Sequence, residues 1–352
     1  MSEIKHERPG VYSAYDASAV VYAGRAPKRI GLAAKASRGL VCSPVALTSY
    51  AGGVATFGET EGGMSELLRV LFQNGAAVVV AVRVANDATL SDYQAAFSVL
   101  EKQNAQVVVC DSADLSVQQA LRTSLENASA IRRERIAVVG GYGESAAELV
   151  THAAALNSER MVLVGPDALK QDGKTVGGIL AAAALAGVIA SGTDPAVPLN
   201  GAEMKGLGGL TKDYSDNEID LLVRGGVTPL ESVAGVVSPV RGVTTRTTTG
   251  GEADATRREL TTILIADDII PTLRSALRSK FARAKNTARN RSAIRSQVIV
   301  ELEKKLAAEI IESYGEVTVT ASEENPTVCL VDFTFAVAHG LNQIYLTVHI
   351  TV

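Results

Sequence analysis

The sequence predicts an α/β fold with a central, mostly parallel sheet flanked by helices, followed by an α+β C-terminal domain. Between residues 76 and 190, unbroken runs of Val and Ile alternate with helical patterns, as expected for parallel strands buried on both faces. After residue 246 this alternation stops, and helical patterns are followed by strand patterns. With 352 residues and 47% hydrophobic content, the chain can form two or three domains with a substantial core.

Four strand–helix pairs account for the regular part of the pattern. The predicted strands cover residues 78–84, 107–111, 136–140 and 161–165, and the helices that follow them cover 91–103, 115–131, 145–156 and 176–190. Strand-like pieces at 30–34 and 44–48 and an amphipathic helix at 61–74 precede them. A Gly/Pro-rich loop at 191–212, a helix at 215–223 and strand-like segments at 227–233 and 236–245 follow. The Thr/Gly stretch 244–252 is typical of an exposed loop or linker.

The C-terminal part combines helices with several strands. Residues 260–266 are strand-like, and a helix is predicted from Asp268 to about Arg283, with Pro271 in its first turn. Asp267 and Asp268 could be paired catalytic carboxylates, but acidic residues also favour a helix start, and we adopt that interpretation. A second helix is predicted at 292–313, and strands at 317–321, 328–338 and 344–352.

The last predicted strand has one apolar face and needs a sheet to pair with. That face consists of Ile344, Leu346, Val348, Ile350 and Val352, which alternate with other residues. Burying these aliphatic side chains contributes about 7–15 kcal/mol, and ordering about ten residues costs a similar amount. The strand is therefore ordered only when it is paired. The pattern alone favours a sheet in its own chain over a sheet in another chain, and both alternatives stay open.

No candidate catalytic, cofactor-binding or metal-binding motif in the sequence has the residue spacing that its function requires. Gly173-Lys174-Thr175 lacks the earlier glycine of a phosphate-binding P-loop, because that position is Ala168. Residues 140–143 form a glycine-rich turn after a strand, without the spacing of a dinucleotide-binding loop. The four histidines have no metal-ligand spacing. No cofactor is therefore expected.

Positive charge is concentrated in one stretch of an otherwise acidic chain. The net charge is −4, which gives no indication of a nucleic-acid partner. Between residues 268 and 301 there are eight basic residues and no acidic one. On a continuous helix, with a break near residue 286 making this approximate, five of them would cluster on one side: Arg274, Arg278, Lys285, Arg289 and Arg295. Such a stretch is either a solvated face or a surface for an anionic partner.

The cysteines and the N-terminal residues indicate a soluble intracellular protein. Cys42, Cys110 and Cys329 form no paired motif and are predicted to be buried, reduced thiols. The first nine residues are charged and lack the apolar region of a signal peptide. Residues 177–190 are too few to span a bilayer, so no direct membrane insertion is expected.

Several motifs, in this order along the chain, resemble those of contractile tail sheath proteins from myophage tails, phage-tail-like bacteriocins and related injection systems. They are RPGVY at residues 8–12, FG at 57–58, LFQNG at 71–75, VVVAVRV at 78–84, GVVSPVRGVTT at 235–245 and the alternating end at 344–352. Each motif is short, but the ordered set extends over nearly the whole chain. The chain is short for this family.

The resemblance implies a structural subunit rather than an enzyme. Such a subunit polymerises with itself in stacked, six-fold rings around a tail tube and contracts to drive the tube through a target cell envelope. The implied partners are further copies of the chain, the tail tube protein, and the baseplate and tail terminator proteins, with no nucleic acid. The implied location is a virion tail or tail-like particle that is assembled in the bacterial host cytoplasm.

The resemblance also implies five segments. They are an N-terminal extended arm (1–25), the N-terminal part of the sheath core (26–75), an α/β sheath domain (76–245), a C-terminal α+β polymerisation domain (246–340) and a C-terminal donor strand (341–352). The arms would add to the sheets of neighbouring subunits, with contacts from Pro9, Gly10, Val11 and Tyr12 and from the five aliphatic residues of the last strand. Gly24 and Gly340 would be hinges, and the five clustered basic residues would face the tube.

A second hypothesis stays open beside this one. The alternating α/β pattern with a C-terminal β cap is also compatible with a cytosolic enzyme or small-molecule-binding protein. The two hypotheses differ in assembly, because a sheath subunit forms tubes or large oligomers and such an enzyme does not.

Overall fold

The computed structural model of the chain describes residues 28–342 and 344–348. The predicted N-terminal arm lies outside these residues, and so do the positions predicted within it, namely Pro9, Gly10, Val11, Tyr12 and Gly24. Ile350 and Val352 of the last predicted strand also lie outside them.

An eight-stranded sheet forms the centre of the fold, and the described residues form eight further strands outside it. The strands are β1 (Arg29–Lys35), β2 (Pro44–Leu47), β3 (Val78–Val84), β4 (Val107–Cys110), β5 (Ile136–Gly140), β6 (Met161–Gly165), β7 (Ala168–Leu169), β8 (Gly209–Leu210), β9 (Val227–Val233), β10 (Val236–Pro239), β11 (Thr248–Thr249), β12 (Glu252–Ala253), β13 (Ile311–Tyr314), β14 (Thr318–Ala321), β15 (Cys329–Asp332) and β16 (Phe335–Val337). The order in the large sheet is β10-β9-β6-β5-β4-β1-β3-β2. Its inner strands are all parallel, and only the edge strands β2 and β10 run antiparallel. The predicted fold class is confirmed.

Helices cover both faces of this sheet, and the last helix packs instead against the C-terminal strands. They are α1 (Tyr50–Phe57), α2 (Met64–Gln73), α3 (Leu90–Glu101), α4 (Leu115–Ala130), α5 (Ala146–Leu156), α6 (Gly178–Ser191), α7 (Asp216–Arg224), α8 (Ala255–Arg258), α9 (Leu260–Phe281) and α10 (Ala288–Ala307). Successive strand side chains point to opposite faces, so Val107 and Val109 pack with α2 and α6, while Val108 packs with α3 and α4. Fully apolar strands therefore fill two cores at once.

The Ala-rich helix α6 lies unusually close to the sheet. A Cβ atom on Gly140, the last residue of β5, would lie 2.1 Å from the carbonyl carbon of Gly178 at the start of α6. A Cβ on Gly141 would lie 1.8 Å from the Glu144 carboxylate. The glycines of the 140–143 turn thus allow close packing of backbone and side chains.

The structure differs from the sequence prediction at three places in the N-terminal and central parts. Residues 50–57, which were not predicted as a helix, form α1, with the Ser49 hydroxyl accepting a hydrogen bond from the Gly52 amide. The stretch 244–252 is not simply an exposed linker, because Thr244 and Thr245 are buried and the Thr245 hydroxyl is hydrogen-bonded to the Ser158 backbone. The strand predicted at 236–245 ends at Pro239.

The largest error concerns α9. Residues 260–266 were predicted as a strand, and Asp267 and Asp268 as the start of a helix with Pro271 in its first turn; instead one helix runs from Leu260 to Phe281, with Pro271 in its interior. The reason is that α9 is apolar on two sides. An apolar stripe on each side of a helix gives a nearly continuous apolar run, which resembles a buried strand.

The remaining C-terminal elements are shorter than predicted. Helix α10 ends at Ala307 and residues 311–314 form β13, so the helix predicted at 292–313 is wrong at its end. The segment 328–338 forms two strands, β15 and β16. Residues 344–348 are not in a strand. Of the three cysteines, only Cys110 is buried, and burial raises the pKa of its thiol to about 12; Cys42 and Cys329 are half-buried.

Helix α9 belongs to two hydrophobic cores. Its first turns contribute Leu260, Ile263 and Leu264 to the core between the central sheet, α2 and α6. Its other side contributes further aliphatic residues, among them Ile265 and Ile269, to a second core with α10 and the C-terminal strands. The two neighbouring aspartates follow the same division: Asp267 pairs with Arg160 of the central domain (2.5 Å), and Asp268 pairs with Lys305 of α10 (2.6 Å).

The buried ion pair between α9 and α10 yields a stability prediction. Asp268→Ala leaves the Lys305 ammonium in a site where its side chain is only 18% exposed, so we expect a loss of about 3 kcal/mol in the free energy of unfolding. The double variant Asp268→Leu/Lys305→Met removes both charges and should recover most of that loss. Urea unfolding followed by circular dichroism measures both, and an equal loss in the single and double variants would contradict the explanation.

Candidate interaction surfaces

Four exposed residues of the basic stretch between residues 268 and 301 lie around the connection between α9 and α10. We call Arg278, Arg283, Lys285 and Arg289 the basic turn: Arg278 lies in the last turn of α9, Arg283 and Lys285 in the connection, and Arg289 in the first turn of α10. All are exposed, and none forms an ion pair with another residue in the described part of the chain. The basic turn is therefore available to an anionic partner.

The predicted one-sided stripe of five basic residues is wrong, because the chain reverses between Phe281 and Ala288 and packs α10 against α9. Arg274 points to the central domain, where its guanidinium donates to both carboxylate oxygens of Glu134 at 2.7 and 3.2 Å. Burial alone would raise the pKa of Glu134, but the hydrogen bonds and charge of Arg274 hold it below its usual value. Arg295 donates to the Val317 carbonyl at 2.7 Å.

The first turn of α10 is an electrostatically unfavourable place for positive side chains. Arg289 and Arg291 occupy the first turn, which contains no acidic residue. Positive side chains at a helix N-terminus oppose the helix dipole. The turn is nevertheless well anchored, since the Asn286 amide donates to the carbonyls of Pro326 (2.8 Å) and Val328 (3.1 Å). Arg291 donates to the Asn286 side-chain oxygen at 2.9 Å and so supports this turn, whereas Arg289 forms no ion pair within the described chain.

The described part of the last predicted strand exposes its apolar face. Ile344, Leu346 and Val348 are 79%, 85% and 68% exposed. Just before them the chain is fixed to the central domain: Asn200 donates to the Asn342 side-chain oxygen at 2.8 Å, and a Cβ on Gly340 would lie 2.9 Å from the Pro198 Cβ. Gly340 is thus closely packed, and its lack of a side chain permits this contact.

The C-terminal strands offer edges on which another strand could be added. β13 pairs with β16, and β14 pairs with β15, in two antiparallel ribbons. Among the described residues each of these strands has one neighbour, so one edge of each remains open. A two-stranded ribbon is only marginally stable in water without further packing. Here one side packs on the second core, and the open edges can accept strands from outside.

Polar groups at the carboxyl ends of the parallel strands are bonded to one another. His152 lies between Glu144 and Gln118, with ring nitrogens 3.0 Å from an oxygen of each. Asp111 accepts from the Tyr93 hydroxyl (2.6 Å) and the Lys35 amide (2.7 Å); burial raises the pKa of this carboxyl, partly offset by these hydrogen bonds. Within residues 28–342 and 344–348, no cluster of three His, Cys, Asp or Glu residues could hold a metal ion, and no helix could cross a membrane.

Comparison with protein families identifies the chain. Residues 86–245 match the phage tail sheath protein central domain, and residues 252–351 match the phage tail sheath C-terminal domain. The chain belongs to the phage tail sheath family. The resemblance noted in its sequence is confirmed.

Relatives of this sheath-family chain agree in sequence and in fold. It is 28% identical over 270 residues to the tail sheath protein of Bacillus phage SP01. This alignment covers 74% of this chain and 45% of that protein. The chain thus spans less than half the length of that relative. Its fold is similar to the sheath tail protein of Desulfitobacterium hafniense (11% identity, TM-score 0.73, 93% of this chain and 100% of that one). It is also similar to the helical sheath of the anti-feeding prophage in its contracted state (14% identity, TM-score 0.72, 99% of each chain).

The exposed end of this sheath-family chain yields a second prediction. Because Ile344, Leu346 and Val348 pack on little of their own chain, deleting residues 344–352 should change the free energy of unfolding of the dispersed subunit by less than about 0.5 kcal/mol. Leu302→Ala, in the second core, should cost about 2–5 kcal/mol and serves as the control. Chemical denaturation measures both; unfolding of the truncated chain would mean that the strand belongs to a sheet of its own subunit.

Proposed function

We propose that this chain polymerises with itself as the structural, non-enzymatic subunit of a contractile tail sheath. In this proposal it forms stacked six-fold rings around a tail tube, in a virion tail or tail-like particle assembled in the host cytoplasm, and contracts to drive the tube through a cell envelope. Its other partners are the tube protein and the baseplate and tail terminator proteins. The observation that carries the proposal is an exposed apolar strand pattern in a chain whose C-terminal ribbons have open edges.

Polymerisation follows from matching these two features between subunits. A segment with this strand pattern has unpaired backbone groups and exposed apolar side chains until it joins a sheet. An open ribbon edge supplies backbone hydrogen bonds, and the side of the sheet supplies apolar contact. Residues 339–342 are held against the central domain, so the exposed segment leaves the subunit at a defined place. The predicted domain limits at 25, 75, 245 and 340 keep the donor strand and the accepting ribbons in separate segments.

Contraction in this proposal changes the packing between subunits and leaves each subunit intact. Helix α9 joins the central domain and the C-terminal strands through two cores, so the subunit moves as a rigid body. Rings can then rotate and slide between two packings while the arms keep neighbours connected. Gly24 and Gly340 remain the predicted hinges of the arms, and a hinge at Gly340 requires its close contact with Pro198 to open. Structural likeness to a sheath in its contracted state supports this role.

The basic turn is the proposed contact with the tube. Its four exposed cations have no internal acidic partner in the described chain, and they suit an acidic surface on the tube protein. A contact of exposed charges is weakened by salt and stays individually weak. Such a contact can position a sheath around a tube and still release it during contraction.

Self-assembly through the last strand is tested by substitution. Ile344→Ser/Leu346→Ser/Val348→Ser should abolish sedimenting tubes and leave a folded monomer, because the face covered by the accepting sheet becomes polar. Thr347→Ala, on the other face of the same segment, should leave assembly unchanged. Sedimentation and negative-stain electron microscopy measure the outcome. Tubes of normal length from the triple variant would rule out strand donation, and discrete small wild-type particles would favour the enzyme hypothesis.

The tube contact is tested by reversing charge in the basic turn. Arg278→Glu/Lys285→Glu/Arg289→Glu should reduce assembly on purified tubes at physiological salt by at least about tenfold, because three attractive contacts become repulsive. The control Lys205→Glu/Lys304→Glu reverses exposed cations elsewhere and should have little effect. Co-sedimentation with tubes over a salt series gives the result. Unchanged binding with an unchanged salt dependence would exclude the basic turn as the tube contact.

A further inference from the structure

A second basic surface lies at the opposite end of α9, at the amino edge of the central sheet. A cleft of about 330 Å³ opens between the starts of β1, β4 and β5 and the side of α9. We call Arg29, Arg132, Arg133 and Arg135, which line it, the basic cleft. The tube contact proposed above does not involve these residues.

The charge of the basic cleft is not neutralised within the described chain. Its wall contains two carboxylates, but each is already engaged by an arginine: Glu134 by Arg274 at 2.7 Å and Asp267 by Arg160 at 2.5 Å. None of the four arginines of the basic cleft has a carboxylate within salt-bridge distance among the described residues.

Arg135 adds a buried positive charge to the wall of the basic cleft. It is only 3% exposed and donates to the backbone carbonyls of Leu100 (2.9 Å) and Gln103 (3.0 Å). Carbonyl oxygens satisfy its N–H groups without cancelling its charge. A buried charge is poorly screened by solvent, so it adds to the positive potential of the exposed Arg29, Arg132 and Arg133.

The opposite edge of the same sheet is acidic for a reason built into parallel α/β folds. Helices that follow parallel strands begin at the carboxyl edge, and acidic residues favour helix N-termini. In α7 this places Asp216 and Glu218 in the first turn, with Asp213 just before it. Glu218 is paired with Lys212 at 2.5 Å, and Lys212 and Ser215 lower its pKa to about 2, so the unpaired negative charge in the described chain is that of Asp213 and Asp216. Asp213 and Asp216 are exposed.

We infer that the basic cleft of one copy receives the acidic start of α7 from a second copy of this chain. The two surfaces lie at opposite ends of one sheet, so copies stacked in the same orientation bring unlike charges together. This is a head-to-tail contact, which repeats without closing and so extends a helical assembly. The inference rests on the proposed self-assembly and names a second contact for it besides the terminal strand.

The charge pairing is tested by reversal and counter-reversal. Arg132→Glu/Arg133→Glu and Asp213→Lys/Asp216→Lys should each reduce sedimenting polymer at least about tenfold at physiological salt. Mixed in equal amounts, the two variants should co-assemble, because each provides one surface that matches the other; the quadruple variant should assemble alone. Lys205→Glu/Lys304→Glu has the same charge change as the cleft variant and should assemble normally. Circular dichroism of each variant verifies folding.

The outcomes separate this inference from the proposed function. Normal polymer from Arg132→Glu/Arg133→Glu, with an unchanged salt dependence, would overturn the inference and leave the sheath role standing. Loss of polymer in both variants without recovery in the mixture or the quadruple variant would exclude the α7 surface as the partner, and so would also overturn it. A wild-type chain that stays monomeric would contradict the self-assembly on which the inference rests.

Discussion

The two-sided burial of α9 is the constraint on which the rest of the structure depends. Leu260 and Ile263 are embedded in the core of the central domain, and Ile265 and Ile269 in the core of the C-terminal strands. Detaching either side would expose several aliphatic side chains, at about 1.5–3 kcal/mol for each. The side chains of Asp267 and Asp268 project about 100° apart around the helix, and their ion pairs with Arg160 and Lys305 fix the helix about its own axis. The C-terminal strands therefore have a defined position on the central domain.

Much of the central sheet could be predicted because its signal is local. Apart from Arg83, the runs at 78–84, 136–140 and 161–165 are apolar, since both faces are buried, and the structure has strands with these bounds. Helix α1 could not be predicted in this way, because Gly52 and Gly53 disfavour a helix. A Cβ on Gly53 would lie 2.6 Å from Leu68, so glycine is needed there for packing against α2. Helix α9 was missed because only the tertiary fold determines the two hydrophobic cores against which it packs.

The sequence shows which basic residues the candidate surfaces contain, but it does not show how the fold arranges them. A stretch of basic residues without acids is visible in the sequence, but which of them are neutralised depends on distant partners, as Glu134 is for Arg274. The basic cleft was missed, although the RRER run at 132–135 is a local signal for it. Its meaning depends on Arg29 and on the pairing of Glu134 and Asp267, which only the fold brings together.

The proposed assembly depends on groups at the surface of the subunit. Inside the subunit, buried polar groups such as Asp111 and His152 have hydrogen-bonding partners. The open edges of the C-terminal ribbons, the exposed aliphatic residues at 344–348, the basic turn and the basic cleft all lie at the surface. In the proposed sheath, a subunit whose two cores are joined by α9 would exchange contacts at these surface groups and keep its own fold. In that proposal, salt-sensitive charge contacts would be exchanged during contraction, whereas paired strands would keep the subunits connected.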